Sequence, residues 1–84
     1  MDLWIRSQHK DMLLKINKLA TGIEPETNYF TVEGGSNDFE YILARYETEE
    51  RTYEVLNEIQ ELLTTRICFE NYNSFNLIYE MPKE

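Results

Sequence analysis

Eighty-four residues with sixteen acids against eight Lys and Arg make a small chain of net charge −8, short enough for one domain spanning residues 1–84. The single cysteine excludes an internal disulfide, and with one histidine beside it no zinc-ligand spacing exists. Such a length leaves a thin margin of buried surface but does not require staples.

Leu3-Trp4-Ile5-Arg6-Ser7 alternates at period two and predicts a first strand, with Leu3 and Ile5 on one face and Trp4 and Arg6 on the other. Residues 8–11 read as a polar turn. Residues 12–20 alternate Leu14 and Ile16 against Lys15 and Asn17, which predicts a second strand in a hairpin with the first. A short helix over 12–19 competes, because Leu, Met and Lys also favour helix. Gly22 and Pro25 end that strand within residues 21–27. Asn28-Tyr29-Phe30-Thr31-Val32 is rich in β-formers and predicts a third strand. Gly34-Gly35-Ser36-Asn37 reads as a turn tolerant of positive φ. Residues 39–46 predict a fourth strand that leads into a helix.

The helix is the clearest element. Thr48 is a good N-cap, and Glu49 and Glu50 set negative charge at the positive end of the helix dipole. Thr52, Val55, Leu56, Ile59, Leu62 and Leu63 recur at helical steps and form one apolar stripe. Glu50, Glu54, Asn57, Glu58 and Glu61 lie opposite. No Gly marks its end, so it stops near Thr65 or continues through Phe69. Residues 71–74 read as a loop, and 75–79 as a last strand that alternates Phe75, Leu77 and Tyr79 against Asn76 and Ile78, with Pro82 beyond it.

These elements predict an α+β fold: a mostly antiparallel sheet of four to five strands, ordered β-β-β-β-α-β, with the amphipathic helix on one face. One helix covers one face of a sheet, yet several strands look apolar on both. Trp4 opposes Leu3 and Ile5, Leu13 opposes Leu14, and Tyr41 and Leu43 oppose Ile42 and Tyr46. Trp4, Arg6, Leu13 and Tyr41 are therefore the candidate interaction surface, because aromatic and Arg side chains dominate interface energetics. The second face is expected to be covered by a curled sheet or by a second copy of the chain in a homodimer.

Charge is unevenly placed. Residues 1–20 hold four cations against two acids, while residues 21–62 hold eleven acids against two arginines. The lack of a basic cluster argues against nucleic acid as a partner, since Lys and Arg supply affinity for phosphates. No apolar leader or span is present, so a membrane is not expected as a partner either, and the expected location is cytoplasmic.

Chemistry-bearing patterns are few. His9 sits in a turn without an orienting partner, and Cys68 lies between Ile67 and Phe69, where a small buried hydrophobe is the plainer reading. Glu54, Glu58 and Glu61 share a helix face that suits a solvated surface better than a cation site. No catalytic, metal or cofactor-binding residue is singled out, and an enzyme is not expected.

Leu3-Trp4-Ile5-Arg6-Ser7-Gln8, Arg45-Tyr46-x-Thr48 with Val55-Leu56-x-Glu58-Ile59, and Tyr79-Glu80-Met81-Pro82 together resemble a group of small uncharacterised proteins of Gram-positive bacteria and their phages. The resemblance implies a small cytoplasmic accessory protein encoded in a prophage, and it assigns no site residue. The expected function is a non-enzymatic protein-interaction module that self-associates or binds another protein. The alternative is an acidic decoy that inhibits a nucleic-acid-binding protein.

Overall fold

The computed structural model describes residues 2–36, 39–69 and 76–84, and of residues 2, 65–69 and 76 the backbone only. The fold is α+β: β1 (Asp2–Arg6), β2 (Leu13–Ile16), β3 (Lys18–Ile23), β4 (Phe30–Gly35), β5 (Glu40–Tyr46), α1 (Glu49–Phe69) and β6 (Asn76–Glu80). The strands form two three-stranded sheets, β2-β1-β6 and β3-β4-β5. Every pairing is antiparallel except β1 with β6, which the helix crossover makes parallel.

The strand expected over 12–20 is two strands. Leu14 and Ile16 face the core from β2, but in β3 the inward residue is Leu19, three positions after Ile16. The alternation therefore slips by one residue at Asn17, and the chain leaves the first sheet for the second. β3 ends at Ile23, inside the 21–27 segment that holds Gly22 and Pro25.

Gly34 and Gly35 likewise belong to β4 and not to a turn, and no glycine has positive φ. A Cβ on Gly34 would come within 2.9 Å of Leu19 Cδ2 and 3.0 Å of Leu43 Cδ1. Glycine there lets two leucines close over the strand. The turn itself is closed by Ser36 and Phe39, whose amides donate to each other's carbonyls at 3.0 and 3.3 Å. The positive-φ residues are instead Lys10, between β1 and β2, and Asn28, between β3 and β4.

The helix forms as its sequence dictates. The Arg51 amide donates to Thr48 Oγ1 at 3.2 Å, which caps the first turn. Thr52, Val55 and Ile59 are buried, with Leu56, Leu62 and Leu63 packed beside them. Buried Thr52 is satisfied by donating to the Glu49 carbonyl at 2.6 Å. The helix runs on through Phe69. The loop expected at 71–74, Phe75 and the burial expected of the Cys68 side chain lie outside what the structure describes.

One core joins all three layers. It takes Leu3, Ile5, Ile16 and Leu77 from the first sheet, Val32, Leu43, Ala44 and Tyr46 from the second, and Val55 and Ile59 from the helix. Leu43 is an extra residue in β5 opposite the Val32–Glu33 step, a bulge that turns the successive residues Leu43 and Ala44 both inward. Each such side chain contributes about 1.5–3 kcal/mol when taken from water.

Gln8 ties the two sheets through both its backbone and its side chain. The Gln8 amide donates to the Leu43 carbonyl at 2.8 Å, extending β1 alongside the outer edge of β5. Its side-chain Oε1 accepts from the Arg45 amide at 2.9 Å, and Nε2 donates to the Arg45 carbonyl at 3.0 Å. The carboxamide thus stands in for a peptide unit of a neighbouring strand. Nε2 also meets the carbonyls of Pro82 at 3.3 Å and Lys83 at 2.9 Å. Tyr46 donates its hydroxyl to the same Pro82 carbonyl at 2.8 Å.

Replacing Gln8 should expose this dependence. Gln8→Ala is expected to cost about 2 kcal/mol, the net value of the lost hydrogen bonds plus the groups they leave unpaired. Gln8→Glu should cost at least as much near neutral pH, because a carboxylate would face carbonyl oxygens where the amide now donates. Urea unfolding midpoints of the three proteins measure both effects.

Candidate protein-interaction face

The first sheet has a core face and an outer face. Register across β2, β1 and β6 sets Lys15, Trp4 and Ile78 in one outer row, and Leu13, Arg6 and Glu80 in the next. Strand pleating fixes this: Leu3 and Ile5 turn inward, so their neighbours Trp4 and Arg6 turn outward.

The rows mix apolar and charged groups. Ile78 is 61% exposed and Leu13 40% exposed, while Trp4 and Arg6 are half-buried. Arg6 Nη1 donates to the Lys10 carbonyl at 3.1 Å, and Lys10 Nζ lies 3.7 Å from Glu80. Cations outnumber acids here: Arg6, Lys10 and Lys15 stand around Glu80. On a chain of net charge −8, three of the eight Lys and Arg gather on and beside this sheet.

Three of the four residues expected to form a surface come together here: Trp4, Arg6 and Leu13. Tyr41 does not join them. It lies in the second sheet opposite Gly34 and stacks on Phe39 with ring centroids 6.4 Å apart. Ile78, Lys15, Lys10 and Glu80 complete the face and were not expected in it. The alternation of the last strand already sets Ile78 opposite Leu77. What sequence lacks is the parallel pairing that lays Ile78 beside Trp4.

The helix's acidic side is partly occupied within the molecule. Arg51 pairs with Glu54 at 3.1 Å and Glu58 at 3.3 Å, donates from Nε to the Glu84 carbonyl at 2.8 Å, and sits 5.8 Å from the Tyr46 ring centre. Tyr79 donates its hydroxyl to Glu58 at 3.1 Å. Burial pushes the Tyr46 phenol up to about 12, against the opposing pull of Arg51. Burial, then the bond to Glu58, raises Tyr79 as well. Both stay protonated throughout the physiological range, so each keeps the O–H that it donates, Tyr46 to Pro82 and Tyr79 to Glu58.

The outer face of the second sheet is polar. Glu24 receives Arg45 through Nε at 3.1 and 3.2 Å and through Nη2 at 3.1 Å, with Thr27 donating at 2.7 Å. Lys18 pairs with Glu40 at 2.7 Å across the width of the sheet. Thr31 donates to Glu33 at 2.8 Å, and Glu33 lies flat over Gly22, where a Cβ would collide with its carboxylate.

A cleft of about 480 Å³ opens where β2 passes into β3, floored by Leu3, Ile16, Leu19 and Leu63 and rimmed by Lys15 and Lys18. Neither His9 nor any carboxylate is among its described lining residues. His9 is an exposed turn residue. Among the described residues no group of three His, Cys, Asp or Glu side chains could hold a metal ion, and no helix is long and apolar enough to cross a membrane.

No protein-family model, curated protein or solved structure matches the chain.

The Glu24–Arg45 pair sets a pH dependence. The hydrogen bonds from Arg45, then that from Thr27, hold the Glu24 carboxyl below its ordinary value of 4.5. A lowered folded value stabilises the fold fully above 4.5, and that contribution is lost as pH falls through the lower value. Glu24→Gln should therefore unfold at lower urea than the parent at pH 7, and the gap between the two midpoints should narrow as pH falls below 4.5.

Proposed function

We propose that the chain is a non-enzymatic protein-interaction module that binds an acidic protein surface through the outer face of its first sheet. The observation that carries this reading is the mismatch between face and molecule. An apolar centre of Trp4, Ile78 and Leu13 is flanked by Arg6, Lys10 and Lys15 on a chain of net charge −8. Exposed apolar area rimmed by charge is the composition of a protein-binding patch, and its local sign steers an acidic partner. Stacking two copies face to face would oppose the same cations, so a partner of opposite charge fits better than a second copy here.

The alternative of an acidic decoy has less support. A decoy needs a row of uncompensated acids, and Arg51 lies between Glu54 and Glu58 in the middle of the helix's acidic side.

Affinity capture from the expressing cell tests the proposal with three baits beside the parent. Partner retention should fall about tenfold or more with Ile78→Asp, as for a residue at an interface centre. It should weaken with Lys15→Glu and persist with Glu61→Lys. Retention indifferent to Ile78→Asp, or lost through Glu61→Lys instead, contradicts the reading.

A further inference from the structure

The two edges of the second sheet are treated differently. The β5 edge is closed by Gln8, whose backbone and carboxamide take the Leu43 carbonyl and both backbone groups of Arg45. At the opposite edge, β3 has β4 as its one ladder partner among the described residues. The Glu24 amide donates to the Tyr29 carbonyl at 2.9 Å, which fixes the phase of that ladder. Counting back in steps of two, Gly22 and Ala20 turn their backbone groups toward β4. Leu19, Thr21 and Ile23 turn theirs outward.

We propose that a second copy of this chain pairs with that edge, β3 against β3 in antiparallel register centred on Thr21. The pattern of the strand is self-complementary about this residue. Thr21 meets its own counterpart in a hydrogen-bonded pair, and Leu19 meets Ile23 of the second copy. The outward backbone groups of both copies then fall in phase. Ile23, 56% exposed in the isolated chain, gains an apolar neighbour, and Thr–Thr pairs across antiparallel strands are favourable. On the outer face, small Ala20 sits opposite Gly22, which leaves the Glu33 carboxylate undisturbed.

The charges agree with the same register. Lys18 falls opposite Glu24 of the second copy. Because Lys18 is already paired with Glu40, and Glu24 with Arg45, the junction reads Glu40, Lys18, Glu24, Arg45 across the two copies. Signs alternate along the whole row. A one-residue slip would set outward backbone groups against inward ones and break this row. The result is a continuous six-stranded sheet with an isologous contact, which leaves the Trp4 face of each copy open to its own partner.

Sedimentation equilibrium on the full chain at about 0.5 mM, where even a weak contact of about 0.1 mM dissociation constant populates the dimer, reads the prediction. The parent should approach twice the 10.1 kDa chain mass. Thr21→Pro removes an outward amide without touching the β4 ladder, and should sediment at 10.1 kDa with unchanged circular dichroism. A second arm does not depend on that variant folding. In a Cys68→Ser background, Thr21→Cys should form an intermolecular disulfide under mild oxidation, because its two copies meet at about 5.5 Å between Cα atoms. Ile23→Cys, which meets Leu19 and not itself, should crosslink at least tenfold more slowly. A parent mass of 10.1 kDa at that concentration, or equal crosslinking of the two cysteine variants, overturns the proposal.

Discussion

Gln8 joins three parts of the fold that lie far apart in the chain: the end of β1, the edge of β5 and the segment after β6. The two sheets share a hydrophobic core, but core contacts alone are non-directional and set no register between sheets. Gln8 supplies the direction. Its backbone continues β1, its carboxamide completes the β5 edge, and its amide nitrogen reaches the carbonyls of Pro82 and Lys83. A carboxamide is the one side-chain group that presents a donor and an acceptor in the geometry of a peptide bond. That is why a glutamine at this position can act as a one-residue strand.

The clamp also decides which surfaces remain to act outward. By occupying the β5 edge it leaves β3 as the open edge of the second sheet. By holding residues 81–83 beside β1 it keeps β6 in place, and β6 carries Ile78 next to Trp4. Arg51 reinforces the same region through the Glu84 carbonyl, and draws Glu54 and Glu58 inward as it does so. The acidic helix is thereby partly neutralised from within, and the basic, apolar face of the first sheet becomes the more distinctive surface.

The helix's end was open between Thr65 and Phe69 and falls at Phe69, whereas its start at Thr48 and its apolar stripe were legible, because cap, acidic first turn and stripe are local signals. So was the α+β class, and so were the outward positions of Trp4, Arg6 and Leu13, because period-two alternation survives any strand order. The split at Asn17 was legible in principle: Ile16 and Leu19 are three apart, which no regular, unbulged strand places on one face. It was missed because Lys15 and Asn17 continue the earlier alternation convincingly. Gly34 and Gly35 were misread because glycine tolerates turns, whereas here it is needed for a close approach of Leu19 and Leu43. Gln8, the bond from Arg51 to the Glu84 carbonyl and the parallel partner of β1 leave no mark in sequence spacing. Their partners lie 33 to 75 residues away, and such contacts are fixed by the assembled fold.

One edge of the second sheet is closed by Gln8, and the proposed pairing with a second copy uses the other. Amide hydrogen exchange measured residue by residue, in dilute and concentrated solution, tests it most directly. The account predicts that the Arg45 amide, held by Gln8 Oε1 at 2.9 Å, exchanges slowly at both concentrations. The Thr21 and Ile23 amides should exchange rapidly when dilute and gain protection on concentration. An Arg45 amide as fast as Thr21 in dilute solution, or Thr21 and Ile23 amides indifferent to concentration, would contradict it.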